Sequence, residues 1–554
     1  MARTRTNRNE AAPEVLELHY QLAELPSSQH RAGLAGLVLM VDWLKRQPHK
    51  QGICEIGKLD AHGATLRIDE LGLEELFNEI YAASLEEQPR NAPLKNKRKE
   101  IVPYLRTEIQ KLTDSKTGKT REKTLYFYES TIPKGAFLLG NDPTTDGRNG
   151  CWIKLWRDVI WTIFRGVPTT RKPFEDRAEG KTPGDSAAAW RELIRPLGYT
   201  VDLPSTYFIG AQAYNAENVP FKDRARFQFL LHCWPYVAQI YVPAIINNAG
   251  EREFVGYALA IPDVADLELF CEELPRVLRG RGKEMSGYRP RDCVVDLAVE
   301  GALDTLRLLQ ERLTQLEGEW ASSAADVVLG IDVIHLEKQG NNVRILGSTR
   351  VDPDAEMIDR YSQFRNSFWN PLFRRQRLVN LVKRRAWQTG FDSILCRLPY
   401  EQTIGNTFFR RDARETFSDE VKLMSEGQAT EIKGTEADTS SSAKSVTEGA
   451  LIYRLVGVYL SRKLKSKHQL EWASVKDQPG KRADYEELKG KLAREAFLAI
   501  RSRTGQDFID YFAATLCSVP QNMNENDFSA LTKALLMDTD NVRTLTMLAL
   551  SARG

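Results

Sequence analysis

No stretch of this sequence is apolar enough to cross a bilayer. The longest purely apolar runs, such as Leu37 to Val41, fall far short of the ~20 residues a membrane helix needs. The basic, polar opening from Met1 to Glu10 leads into no apolar segment, so a secretory signal is not expected. Seven cysteines (Cys54, Cys151, Cys233, Cys271, Cys293, Cys396 and Cys517) are scattered without a Cys-x-x-Cys pair. That disfavours a disulfide framework or structural zinc and points to a reducing, cytoplasmic setting. Seven histidines, none followed by aspartate, give a histidine-centred hydrolase little to stand on. Charge of one sign is also lacking overall, because the formal net charge is only +2. What remains is ordinary for a globular protein: 42% hydrophobic and 27% charged residues over 554 positions. Such a length has room for roughly three or four domains.

The pattern of the chain is that of an α+β protein. Leu18 to Gln29 reads as a strand entering a turn, with Ser27 or Ser28 capping a helix from His30 to Arg46. Gly33 and Gly36 within that helix predict close packing against a neighbour. Ile53–Leu59 and Ala64–Ile68 pair as a hairpin, and Glu70 to Ser84 shows helical spacing of Leu73, Leu76, Phe77 and Ile80. A helical stretch is expected before the polar loop Asp114 to Lys123, and a strand after it. Trp152 to Phe164 reads as an amphipathic helix. Strands are expected at Val237–Ile246, Glu253–Ile261 and in a hairpin over Val327 to Val351, with helices at Asp263–Leu278 and Val294–Leu316. Met424 to Val446, rich in Ser, Thr, Glu and Gly, reads as a flexible linker. Beyond it every segment looks helical. The expected organisation is a mixed body of β-hairpins and helices over 1–423, a linker over 424–446 and an all-α bundle over 447–554.

Against a near-neutral whole, one segment stands out. Arg365, Arg374, Arg375, Arg377, Lys383, Arg384 and Arg385 lie in a stretch without an acid, interleaved with Phe368, Trp369 and Phe373 and followed by Trp387. Cations beside rings suit phosphate backbones and unstacked bases, although solvated surface charge is the plainer reading of any such run. Two further basic loops are Arg90 to Lys99, with Lys95, Lys97, Arg98 and Lys99, and a Gly-rich loop with Arg279, Arg281 and Lys283. Gly118-Lys-Thr120 mimics the end of a phosphate-binding loop. It has Thr113 where that motif needs glycine, so an exposed basic hairpin loop is the better reading. Asp332, His335 and Glu337 invite a metal site, but strand alternation turns Asp332 away from the other two. No catalytic set, metal site or cofactor site is therefore expected.

Two segments carry a family likeness. Leu18-His-Tyr-Gln-Leu-Ala-Glu-Leu-Pro-Ser-Ser-Gln-His-Arg-Ala-Gly-Leu-Ala-Gly-Leu37 resembles the opening of a CRISPR-associated large subunit, in a variant type I family related to type I-B. Trp161-Thr-Ile-Phe-Arg-Gly-Val-Pro-Thr-Thr-Arg171 is similar to a second segment of it. The resemblance implies a non-catalytic subunit of Cascade, the RNA-guided surveillance complex. Its implied partners are CRISPR RNA, target double-stranded DNA, the backbone, 5′-handle-binding and small subunits, and a helicase-nuclease, with no membrane. Its implied work is recognition of the protospacer-adjacent motif, aid to R-loop formation and guidance of the displaced strand.

The same family likeness makes the C-terminal bundle resemble a small subunit, and Met424 is a candidate internal start for a separate product. Residues of the motif reader are not fixed by the resemblance. Lys116, Gly118, Lys119 and Arg121 are the first candidates, with Gly118 allowing close approach to a groove. Strand contacts are expected from Arg374, Arg375, Arg377, Lys383, Arg384 and Arg385. The rival readings are a metal-dependent nuclease with carboxylates from distant parts of the chain, and a general RNA-binding scaffold.

Overall fold

The computed structural model describes residues 15–48, 50–96, 98–113, 120–134, 151–162, 171–203, 208–209, 221–247, 252–279, 281, 285–286, 289–316, 323–339, 342–431, 447–518 and 523–554. Two compact units emerge, one of 1–244 with 254–358 and one of 245–253 with 359–554.

The first unit opens with β1 (Leu16–Gln21), whose alternate residues Leu18 and Tyr20 are buried. Helix α1 (Ser28–Lys45) follows, capped by the Ser27 hydroxyl, which accepts from the His30 amide. Strands β2 (Cys54–Asp60) and β3 (Gly63–Ile68) form the expected hairpin, and β3 also pairs with β1. Its turn is held by the Asp60 carboxylate, which accepts from the His62 and Gly63 amides at 2.9 and 3.0 Å.

Glycine is required in α1 by contact. A Cβ at Gly33 would stand 2.4 Å from the Leu230 carbonyl oxygen, and one at Gly36 would stand 2.2 Å from that of Cys233. The helix therefore lies backbone-to-backbone on that segment, as the two glycines predicted.

Helix α2 (Glu70–Ile80) is capped by Asp69 and buries Leu73, Leu76, Phe77 and Ile80. It ends earlier than its spacing predicted, and Ser84 lies instead in β4 (Ala83–Arg90). Next come β5 (Arg106–Thr113) and β6 (Thr120–Pro133), which make an antiparallel sheet of order β4-β6-β5. The helical stretch expected before the 114–119 turn is thus a strand. Ile109 is 62% exposed there, so no buried face imposed a readable period. Helix α3 (Cys151–Thr162) buries Leu155, Trp156, Val159 and Ile160.

The main sheet of this unit is built on β7 (Gln239–Ile246), β8 (Tyr257–Val264), β9 (Val328–Gln339) and β10 (Asn342–Val351), successive neighbours and antiparallel. Every residue of β8 is buried, so it shows no alternation. It carries Asp263, which the sequence reading had placed at a helix start. Arg31 and Arg350 meet its carboxylate at 2.7 and 2.8 Å, neutralising a charge that burial would otherwise penalise. Helix α4 (Leu267–Arg279) follows. The long helix expected from Val294 is shorter: Val294–Val295 pair in parallel with β7, and α5 (Glu300–Thr314) begins later.

The second unit is helical. After α6 (Ala355–Phe364) come α7 (Pro371–Val382), α8 (Phe391–Arg397), α9 (Thr407–Glu431), α10 (Glu448–His468), α11 (Pro479–Arg501), α12 (Glu525–Met537) and α13 (Thr539–Arg553). One apolar core joins Phe373, Phe391, Phe409 and Phe417 to Leu455, Phe497, Leu548 and their neighbours. The basic segment therefore packs with the C-terminal helices, within the compact unit that holds 359–554. Residues 424–431 of the expected linker continue α9, and 432–446 lie outside the described residues. No helix among the described residues is long and apolar enough to cross a membrane.

Candidate nucleic-acid interface

The 365–385 segment is organised by α7. Asn370 caps it, its side-chain oxygen accepting from the Leu372 and Phe373 amides at 3.1 and 3.0 Å, and Pro371 occupies the first turn. Phe373, Leu378 and Asn380 face inward. At the other end, Asn380 donates to the carbonyls of Trp387 and Thr389 at 2.7 and 2.9 Å. The chain turns there with Arg384 at φ +50°, and Lys383, Arg384 and Arg385 are all exposed. These three cations sit where the helix dipole is negative, which stabilises them by about 0.3–1 kcal/mol each.

The other basic residues of the segment are placed differently. Arg374 and Arg375 are half-buried, and Arg374 donates to the Arg365 carbonyl at 3.4 Å. Arg377 leaves the surface set. Its guanidinium lies 5.5 Å from the Phe368 ring centre and 5.3 Å from that of Trp387. Desolvation there pushes its pKa down to about 10, against the opposing pull of Glu420. Glu420 is itself raised by burial and accepts from the Trp387 indole N–H at 2.6 Å. Arg377 is thus partly buried against two rings that flank α7 in the chain.

Sequence reasoning missed the neighbouring surface. Trp369 is 59% exposed and lies nearly parallel to Phe408, itself 51% exposed, with ring centres 6.2 Å apart and planes at 12°. Arg411 reaches over the Trp369 ring at 5.2 Å and also pairs with Glu415 at 2.8 Å. Beneath them the buried Asp412 carboxylate accepts from the amides of Trp369 and Asn370 at 3.0 and 2.7 Å. Burial raises Asp412 to about 6 even though those amides favour its charged form. The signal was present as Phe408-Phe409-Arg410-Arg411: adjacent residues on a helix cannot share a face, so one phenylalanine had to point outward.

In the first unit, Lys95, Arg98 and Lys99 are exposed on a turn that Asn96 holds by accepting from the Arg98 and Glu100 amides. Lys97 lies outside the described residues. The β5–β6 register sets Thr113 opposite Thr120, and the chain from Thr120 runs on as a strand where a phosphate-binding loop opens a helix. Lys116, Gly118 and Lys119 lie outside the described residues, as does the Arg121 side chain. On β6 the Tyr128 hydroxyl accepts from the Leu94 amide at 2.9 Å. Arg279 is exposed, whereas Arg281 is 8% exposed with its guanidinium 3.7 Å from the Trp152 ring centre. Arg281 is accordingly a packing residue, and Lys283 lies outside the described residues.

The residues that invited a metal reading stand apart. Asp332 faces Arg350, while the His335 ring lies 2.8 Å from the Val255 carbonyl. Among the described residues no three His, Cys, Asp or Glu side chains could share a metal ion. Burial drives the Cys54, Cys233 and Cys271 thiols up, away from nucleophilic thiolate.

The described residues thus define an α+β chain with a helical C-terminal unit, its cations and rings set on capped helices and tight turns. A model of the Type I-B CRISPR Cas8b N-terminal domain matches residues 53–319, and one of the Cas8b C-terminal domain matches 328–553. The chain belongs to the type I-B Cas8b family, the large subunit of a CRISPR Cascade complex that includes other Cas subunits. No curated protein matches it.

Proposed function

We propose that this chain is a non-catalytic, cytoplasmic nucleic-acid-binding subunit. Together with CRISPR RNA it recognises a protospacer-adjacent motif in duplex DNA, aids R-loop formation, guides the displaced strand and recruits a helicase-nuclease. The observation that carries the reading is the exposed cluster Lys383, Arg384 and Arg385 at the C-terminal end of α7, a helix whose other end carries the exposed Trp369 ring. Such a surface can follow a phosphate backbone without reading sequence, while guide pairing supplies specificity.

For the motif itself, the segment between β5 and β6 with Lys116, Gly118, Lys119 and Arg121 is the proposed reader, supported by its basic side chains and the glycine among them. The exposed Lys95, Arg98 and Lys99, and Arg279, are proposed as phosphate contacts of the flanking duplex.

The test is binding of the assembled complex to target duplexes carrying randomised flanks, together with labelled DNA incubated in Mg²⁺ or Mn²⁺. Enrichment of one short flank, lost on alanine substitution at Lys116, Lys119 and Arg121, is expected. Cleavage by the purified chain establishes the nuclease alternative, and flank-independent binding establishes a general RNA scaffold.

A further inference from the structure

We propose that Trp369 and Phe408 form a stacking platform for an unpaired nucleobase, with Arg411 holding the adjoining phosphate. The inference rests on the strand-binding reading above and adds the residues that would hold a base. Between 365 and 420, Trp369 and Phe408 are the only large hydrophobic side chains exposed among the described residues. They stand together with their ring planes nearly parallel, and among the described side chains of 365–420 no leucine, isoleucine or methionine is exposed. A protein-docking patch normally has a broader apolar floor; two parallel exposed rings, with a guanidinium over one of them, match the size of one base with its phosphate.

The platform is also rigid before any ligand arrives. Phe408, Arg411 and Asp412 occupy successive turns of α9, and Asp412 fixes the backbone of Trp369 and Asn370 at 3.0 and 2.7 Å. Asn370 in turn starts α7. Holding the rings in place before binding lowers the ordering cost of capturing a flexible strand. Arg411 shares its charge with Glu415, but its guanidinium keeps further N–H groups for phosphate oxygens, and the side chain is 51% exposed.

The discriminating probe is a thymidine oligonucleotide compared with one of equal length carrying abasic sites. The two have equal charge and differ in the bases alone. The full-length chain should bind the base-bearing strand roughly tenfold or more tightly than the abasic one. Trp369→Ala and Phe408→Ser should each shrink that ratio towards one, Trp369→Phe should retain part of it, and all three should keep the wild-type dependence on salt. Because both rings are exposed, thermal unfolding of these variants should match wild type, and Trp369→Phe guards against a folding defect. Salt-dependent binding with equal affinity for both strands, or an undiminished ratio in Trp369→Ala, overturns the platform alone. Absence of any salt-dependent binding overturns the strand-binding reading with it.

Discussion

Replacing Lys383, Arg384 and Arg385 together by glutamine removes three exposed positive charges and leaves the buried face of α7 untouched. If each holds one phosphate of a single strand, the slope of log affinity against log salt falls by about 0.7 per contact, or about 2 in all. Between 50 and 200 mM salt the wild-type advantage should then shrink roughly sixteenfold, the fourfold change in salt raised to the power of that slope difference. Lost dipole stabilisation costs about 1–3 kcal/mol, so unfolding curves must be recorded in parallel to confirm that the variant is folded at the assay temperature. Fluorescence anisotropy of a labelled oligonucleotide across a salt series reads the slope directly. A folded variant with the wild-type slope refutes the argument, because the three cations would then be solvated surface with no phosphate partner.

Arg377→Ala should behave in the opposite way. It removes the guanidinium packed against the Phe368 and Trp387 rings, so a loss of about 1–2 kcal/mol is expected in denaturant unfolding, whereas Arg384→Ala alone should stay within about 1 kcal/mol. His232 gives a pH signature: burial lowers its pKa from 6.5 to about 3, and its Nδ1 lies 2.5 Å from the Tyr81 hydroxyl. The folded state thus keeps it neutral while the unfolded chain takes up a proton below 6.5. Its contribution is fully present above that pH and is lost as pH falls, by about 1.4 kcal/mol per unit. His232→Asn should flatten that part of an acid unfolding series, and an unchanged slope would assign the acid loss to other groups. A product begun at Met424 would lack Phe373, Phe391, Phe409 and Phe417 of the helical core, so in isolation it should self-associate or fail to unfold cooperatively. Met424→Ala should remove such a product from mass spectra of purified complex.

Local signals in the sequence were reliable wherever packing reinforced them. The Asp60–Gly63 turn, the serine cap of α1, its two glycines and the C-terminal helices combine a local chemical preference with a buried face, so propensity and tertiary contact agree. β5 was not legible because its register is imposed by β6 across the hairpin, not by its own pattern. The boundary at 423 followed a change in composition, but the Phe409 and Phe417 side chains belong to the same core as α10 and α13, which composition cannot show.

For the site, the sequence located the basic segment but not which of its cations are exposed. Phe373, Arg377 and Asn380 lie at positions i, i+4 and i+7 of α7, one face of a helix, so the inward turn of Arg377 could have been read from spacing. Pairing Trp369 with Phe408 and Asp412 bridges some forty positions and had no local signal.

Strand opening tests the central claim most directly. Complexes assembled on one CRISPR RNA, with and without this chain, should be given a matched duplex bearing the flanking motif, and unpaired thymines mapped by permanganate reactivity. The account predicts that the displaced strand becomes reactive only with the chain present, and that it remains uncut until a helicase-nuclease is added. Equal reactivity without the chain, or cutting by the complex alone, would contradict it.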